Sequence, residues 1–396
     1  MISRGDERDD TGRDRVAQTV DVQTFRDEFP MTGEWAYLNH AAYGPFPRRT
    51  VEAVRRWAED FASPSEGFFS SRQDIPAEAA GMVAGLAGTT ADMVAWVPSL
   101  ADGMNLLANG LTWQPGDNVL IPVEEFPSVV YPFLNLQRHG VEVRFVPRNA
   151  EGRTDPRLIE AAMDDRTRAL AISHVEYMDG FRNDLALLGS LCRERGVELF
   201  VDATQSLAAQ PVELVGTGVT AIAAHGYKWL MAGFGVGVVV FAEDAVERIG
   251  VTYAGRLSVK SGFEDHDYAL DWREGAARYQ TGGLNQLGLT ALHASLSLIA
   301  QAGPVWSSAH TRALTDRLAE GVDEKGYEVA SDMDPAHRSQ ILTFTSGDHE
   351  RDGRIVAELE QSKVAVTLRG RGVRVSPYFY NTEEDIDRLV RALPLR

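Results

Sequence analysis

Cysteine is all but absent from this sequence: Cys192 stands alone among 396 residues. A lone cysteine excludes an intrachain disulfide and suits a reducing compartment, so a cytoplasmic location is expected. Long apolar runs are missing too. No segment reaches the roughly 18–20 apolar residues that cross a bilayer, and the opening stretch MISRGDERDDTGRDR lacks the apolar core of a secretory signal. Basic charge is outweighed, with 39 Lys and Arg against 57 Asp and Glu for a formal net charge of −18. That balance repels nucleic-acid backbones and anionic membranes, and no basic patch offsets it. No nucleic-acid or membrane partner is expected, and a small molecule is. Repeats with a period of about 20–50 residues are also lacking.

What is present is a globular composition, 44% hydrophobic and 24% charged, long enough for about two cores. Positions 1–20 mix both charge signs with little apolar content and read as a mobile arm. RRTVEAVRRWAEDFA places Val51, Val54, Trp57 and Phe61 at helical spacing with arginines outward. Beyond it, short apolar runs (DMVAWVP, NVLIPV, VEVRFVP, RALAISHV, VELFVDAT, VTAIAAHG, GVGVVVF) alternate with helical patterns of about 10–15 residues. Such alternation predicts an α/β fold with a mainly parallel sheet between helices. After about residue 255 the pattern changes to QILTFTS, RGVRVSPYF and the acidic-start helix TEEDIDRLVRAL. The expected organisation is a large α/β domain over 21–255 and a smaller α+β domain over 256–396.

In an open parallel sheet, ligands bind beyond the carboxyl ends of the strands. LFVDATQ ends one strand in Asp202, and AIAAHGYK ends another in His225, Tyr227 and Lys228. Lys228 lies between an apolar run and the glycine-rich strand GFGVGVVV, where an ammonium is costly unless it is used. Ser99 reads as the N-cap of a helix whose free amides suit a phosphate, and Phe126 follows a third strand as a flat aromatic face. Each has a bland alternative: a plain cap, a core ring, a structural aspartate, a loop histidine. Taken together, a phosphate cradle, an aromatic platform, a buried carboxylate and a desolvated lysine are what pyridoxal 5′-phosphate requires.

At these residues the chain resembles the class V aminotransferase-like branch of fold-type I pyridoxal-phosphate enzymes, which includes cysteine desulfurases, kynureninases and isopenicillin-N-epimerase-like proteins. The motifs that carry the resemblance are YLNHAAYGPFP, VPSLADGMN, EEFPS, ISHVEYMDG, VDATQS, HGYKW, YQTGGLN and VRVSPYFYNTEEDIDRL. The resemblance implies a seven-stranded sheet in the large domain. It implies that Lys228 forms the Schiff base, Asp202 pairs with the pyridine nitrogen, Gln205 bonds the ring hydroxyl, and Thr204 and Phe126 cover the two ring faces. Leu100 and Ala101 amides, with His225 and Tyr227, would hold the phosphate. Arg374 would grip the substrate carboxylate, where a planar two-pronged donor is suited. Thr281 and Gly283, in a loop that acts across a dimer in the family, imply a homodimer.

The sequence also departs from the family. VAVTLRGRGVRVS carries no cysteine where desulfurases place their nucleophile, and Cys192 falls in the helical stretch LLGSLCRERG, so persulfide chemistry is not expected. Glu176 and Tyr177 stand where an asparagine is common, so both are candidates for substrate contact, with pairing to Arg182 an equal alternative for Glu176. Gly283 replaces a phosphate-binding threonine. The expected reaction is a lyase, a β-elimination or deamination of an elaborated or S-conjugated amino acid. Transamination or epimerisation, decarboxylation coupled to deamination, and a cofactor-fold scaffold without catalysis are the alternatives.

Overall fold

The computed structural model describes residues 21–63, 72–261 and 268–396. The arm expected over 1–20 lies outside the described residues. A short strand β1 (Ala36–Tyr37) precedes the strands of the main sheet: β2 (Val94–Val97), β3 (Asn118–Pro122), β4 (Glu142–Val146), β5 (Thr167–Ser173), β6 (Glu198–Asp202), β7 (Ala221–His225) and β8 (Gly237–Phe241). They form a seven-stranded sheet in the order β2-β8-β7-β6-β5-β3-β4. β8 runs antiparallel to both its neighbours, and every other pair is parallel. The α/β class, the mainly parallel sheet and all seven strand segments agree with the sequence reading.

Strand alternation explains the two faces of this sheet. Leu170, Ile172, Leu199, Val201, Ile222 and Val240 enter one core cluster, while Ala169, Ala171, Phe200, Ala221, Ala223, Val239 and Phe241 enter another. Side chains two apart share a face, so continuous apolar strands feed both layers. The small residues of β7 let the helix Leu100–Gly110 approach closely. A Cβ at Gly103 would stand 2.9 Å from Val239 and 3.1 Å from Ala223. Ser99 caps this helix as expected, accepting from the Asp102 amide at 3.2 Å.

A second, four-stranded antiparallel sheet contains β9 (Glu328–Val329), β10 (Leu342–Thr345), β12 (Thr367–Arg369) and β13 (Gly372–Val375), in the order β12-β13-β10-β9. Between β10 and β12 lies β11 (Val364–Ala365), which pairs in parallel with β1. Ala36 and Leu38 therefore share a third core cluster with Leu314, Phe344, Val373, Val375 and Ile386.

The helix Arg48–Ala62 forms as read from the sequence, with Arg55 and Arg56 outward. Within it Val51 and Phe61 are 53% and 51% exposed and only Thr50 is buried. The reason is the packing partner. Thr50 Oγ1 meets Ser295 Oγ at 2.7 Å on the helix Gln286–Ala302, so a polar contact is the most deeply buried point of this helix, with Val54 and Trp57 half-buried beyond it.

The two sheets are joined at the future site by the segment after β1. The His40 amide donates to the Ser376 carbonyl beyond β13, and the Gly44 amide donates to the Tyr227 carbonyl beyond β7. A Cβ at Gly44 would lie 1.9 Å from the Lys228 carbonyl oxygen, an overlap that only backbone movement relieves. Gly44→Ala is expected to destabilise the protein by about 1–3 kcal/mol, the usual cost of overpacking. Turnover should fall more than folding does; calorimetric melting and steady-state rates on the same preparation check this.

Candidate active site

Three strand ends and one strand of the small sheet converge on Lys228. β7 delivers it through a turn pinned at several points: the Gly226 amide donates to the Val236 carbonyl, the Ala232 amide to the Gly226 carbonyl, and the Met231 amide to the Lys228 carbonyl. The side chain is 6% exposed, with Nζ 5.3 Å from the Phe126 ring centroid and 5.7 Å from that of Tyr227. Removal from water lowers its pKa to about 8; Asp202 opposes the shift, and Arg374 and Arg369 reinforce it. The other lysines have ordinary surroundings. Lys260 pairs with Asp271, Lys363 with Glu34, and Lys325 donates to the Leu393 carbonyl.

Asp202 ends β6, and its Oδ1 accepts from the Thr204 amide at 2.8 Å. Burial pushes its pKa up, while the Thr204 hydrogen bonds and Lys228 pull it down. The two groups make no direct ion pair among the described residues; desolvation outweighs their attraction and moves both toward neutrality. A carboxyl in that condition is ready for a cation that brings its own hydrogen bond.

His225 closes β7. The Leu100 amide donates to its Nδ1 at 3.3 Å, and burial, with Lys228 adding to the effect, lowers its pKa to about 4. The imidazole is therefore neutral with its proton on Nε2, a donor next to a helix N-terminus. Because the Leu100 amide is engaged by His225, Ala101 supplies the first-turn donor. The Tyr227 ring lies 4.6 Å from that of His225 and stacks at 4.5 Å on Phe234. Thr204 Oγ1 accepts from the His225 amide at 3.2 Å. Gln205 is buried; its Oε1 accepts from Trp229 Nε1 at 2.8 Å and its Nε2 donates to the Ala41 carbonyl at 3.1 Å, leaving one amide hydrogen.

Arg374 is the most unusual group. It is 1% exposed on β13, and Nη1 donates to the Tyr177 carbonyl at 2.6 Å, while Nε and Nη2 are buried without a partner. Unpaired guanidinium hydrogens in a dry site are costly, and a carboxylate seated on them removes that cost. Burial and the nearby charge of Arg369 lower its pKa to about 9.

Tyr177 stands edge-on to Phe126, with ring centroids 5.3 Å apart, and burial raises its pKa. Glu176 pairs with Arg148 at 3.0 Å and accepts from Asn183 at 3.0 Å. Its alternative partner Arg182 is engaged elsewhere, donating to the carbonyls of Pro335 and Ala336. Thr281 and Gly283 are not brought to this cluster. Both are exposed and line a groove of about 630 Å³ with Asp102 and Asn105.

One group escaped sequence reasoning. Glu125, next to Phe126, is buried, with its Oε1 accepting from the Ser173 amide at 2.6 Å and its Oε2 2.6 Å from the Ser173 hydroxyl. Burial and the neighbouring Glu176 carboxylate raise its pKa well above the carboxylate range. The only available signal was EEFPS itself, in which the first glutamate is half exposed, pairing with Arg148 and Arg371, and the second is buried.

The aminotransferase class-V family model matches residues 36–389. The chain belongs to that family. A probable cysteine desulfurase of Methanothermobacter thermautotrophicus is 28% identical across 95% of this chain and 97% of its own length. An uncharacterized aminotransferase of Bacillus subtilis is 27% identical over 76% of this chain and 78% of its own length. Among solved structures, the cysteine desulfurase CsdA of Escherichia coli superposes with a TM-score of 0.83 at 23% identity, covering 94% of this chain and 97% of that one. The cystine C-S lyase C-DES, in complex with cysteine persulfide, gives a TM-score of 0.83 at 22% identity, covering 92% and 98%. The protein is a fold-type I, pyridoxal-phosphate-dependent enzyme acting on an amino acid.

The residues fit that cofactor. A desolvated amine, a buried carboxyl beside it, a neutral histidine donor at a helix start and unpartnered guanidinium hydrogens answer to its aldehyde, ring nitrogen, phosphate and bound substrate in turn. The lowered pKa of Lys228 has a measurable consequence. Its neutral fraction rises with pH, reaches half near 8 and is nearly complete by about 9, whereas an ordinary lysine is still mostly charged at about 9. Capture of pyridoxal phosphate by cofactor-free protein, followed by visible absorbance, should accelerate with pH and level off near 8–9. Acceleration continuing past pH 10 would contradict the assigned environment.

Proposed function

We propose that the protein is a β-lyase that cleaves the Cβ–S bond of an S-substituted cysteine-type amino acid. The observation that carries this reading is the pairing of one buried amine, Lys228, with the half-unpartnered Arg374 guanidinium, in a site without a thiol. Cys192 is buried in the helix Leu185–Arg195, packed in the core, and burial pushes its pKa up to about 12. A persulfide carrier needs an accessible thiolate, and this thiol is neither accessible nor ionised.

When bound, pyridoxal phosphate supplies an electron sink for negative charge at the substrate Cα. Arg374 Nε and Nη2 hold the α-carboxylate, and that grip orients the Cα–H bond. Lys228 Nζ takes the Cα proton and holds it. Asp202 would hold the protonated heterocycle nitrogen by a charge-assisted hydrogen bond, and Phe126 and Thr204 would hold the ring. His225 Nε2 and the Ala101 amide would hold the phosphate. As the Cα proton leaves, the Cβ–S bond breaks and its electron pair departs with sulfur. The thiolate takes up the proton that Lys228 Nζ removed from Cα, which returns the amine to its neutral form. The residual enamine moves a proton from nitrogen to Cβ to become an imine, which water hydrolyses to pyruvate and ammonia.

A homodimer belongs to the same proposal. Tyr43, Tyr227 and Phe234 form a continuous aromatic group, with Phe234 70% and Tyr43 56% exposed beside the cofactor site. An exposed aromatic cluster of that kind suits a subunit interface, and it would leave Thr281 and Gly283 to serve the partner's phosphate. A cytoplasmic location is also proposed, on the single cysteine. Among the described residues no helix is long and apolar enough to cross a membrane.

Incubation with S-substituted cysteines should release equimolar thiol, pyruvate and ammonia. Lys228→Ala should abolish release, lowering the rate by at least about a thousandfold, while Cys192→Ala keeps it. Consumption of a keto acid with no pyruvate formed from the donor would identify an aminotransferase instead, and loss of turnover in Cys192→Ala would restore a thiol mechanism. Phe234→Asp should convert the dimer to monomer in sedimentation and weaken cofactor retention together.

A further inference from the structure

The hairpin formed by β12 and β13 carries cations in unequal circumstances. Arg371 is neutralised: Nε lies 3.3 Å from Asp179, and Nη2 lies 3.5 Å from Glu124 and donates to the Gly152 carbonyl at 2.7 Å. Arg374 keeps two unpartnered donors. Arg369 has no carboxylate partner among the described residues; its Nη1 donates to the Leu368 carbonyl at 2.9 Å and to Thr367 Oγ1 at 3.4 Å, both oxygens of its own strand.

The register fixes which way Arg369 faces. β12 and β13 pair antiparallel with Thr367 opposite Arg374, Leu368 opposite Val373 and Arg369 opposite Gly372. Directly opposed residues share a face and successive residues alternate. Val373 enters the small core, so Thr367, Arg369 and Arg374 share the other face, the one on which Arg374 meets Tyr177. Gly372, at φ +140, leaves no side chain opposite Arg369. Arg369 follows the position opposite Arg374 by two residues, about 7 Å along the strand. Its charge also reaches Lys228, Arg374 and Tyr177, the groups around the reacting centre.

We propose that Arg369 is a second anion-binding group of the substrate site and selects amino acids whose side chain ends in a carboxylate, in particular S-(carboxyalkyl)cysteines. This rests on the lyase reading for the sulfur but not for the acid. The α-carboxylate occupies Arg374, and the distal carboxylate, a few bonds further, occupies Arg369. The nearby carboxylates are engaged with other partners, so Arg374 and Arg369 are the cations left for a substrate bearing two carboxylates.

The test compares S-(2-carboxyethyl)cysteine with its isostere S-(2-carbamoylethyl)cysteine. Dissociation constants come from the absorbance change of the holoenzyme, and pyruvate is measured separately. The acid should bind at least tenfold more tightly than the amide at low salt. Arg369→Gln should reduce that ratio to about twofold or less, and Arg369→Lys should restore part of it, a pattern that a merely structural arginine would not give. A ratio near one in the wild type, or an unchanged ratio in Arg369→Gln, overturns the proposal. Absence of pyruvate from both compounds sinks the lyase reading alone, because the affinities still decide the role of Arg369.

Discussion

The cost of taking one ammonium out of water organises this molecule. Lys228 sits at the carboxyl end of β7, under Phe126 and beside Asp202, with β12 and β13 of the second sheet bringing further positive charge. Burial alone would favour a neutral amine, and every neighbour modulates that tendency. Asp202 restores part of the charge, and Arg374 and Arg369 take it away again. A lysine so placed is poised to react at moderate pH, which is the use to which desolvated lysines are put.

The fold makes this possible by assigning different tasks to different layers. Parallel strands buried on both faces end at one edge, and the turns beyond β3, β6 and β7 supply the platform, the acid and the amine. The segment after β1 then threads between the sheets, so close to Lys228 that glycine is required at position 44. The antiparallel sheet contributes Arg374 and Arg369, the groups that the proposed function assigns to the substrate. The two sheets are nonetheless coupled, because Arg374 and Arg369 of the second help lower the pKa of Lys228 beyond the first. Around the junction, Glu125, Glu176 and Asp179 are held by Ser173, Arg148 and Arg153, a polar wall in which each acid has a named partner.

Much of this was legible in the chain, and the reasons differ by element. The seven strands were readable because each is a short, nearly uninterrupted apolar run, and Asp202, His225 and Lys228 were readable because they end such runs. The helix Pro304–Glu324 was not. Its buried face includes Ser307, Ser308, Thr311 and Thr315 beside Leu314, Leu318 and Val322, so hydrophobic periodicity fades along the face that is buried. The helix Ile75–Ala87 was missed for a related reason, since it packs through Ala79, Ala80, Ala84 and Ala87 with few large side chains. In the helix Arg48–Ala62 the opposite occurred: an apolar stripe was present but remained half exposed. Glu125 and Arg369 were out of reach because their character comes from distant strands. Nothing local distinguishes a buried glutamate from an exposed one in EEFPS, or an unpaired arginine from the paired Arg371 in LRGRG.

Every role assigned here depends on a covalent bond between Lys228 Nζ and the cofactor. Reduction of the holoenzyme with borohydride, followed by proteolysis and mass analysis, reads that bond directly. The account predicts a phosphopyridoxyl group on the peptide containing Lys228 and none on peptides containing Lys260, Lys325 or Lys363. Label on one of those surface lysines, or an unmodified Lys228 in protein that retains the cofactor, would contradict it.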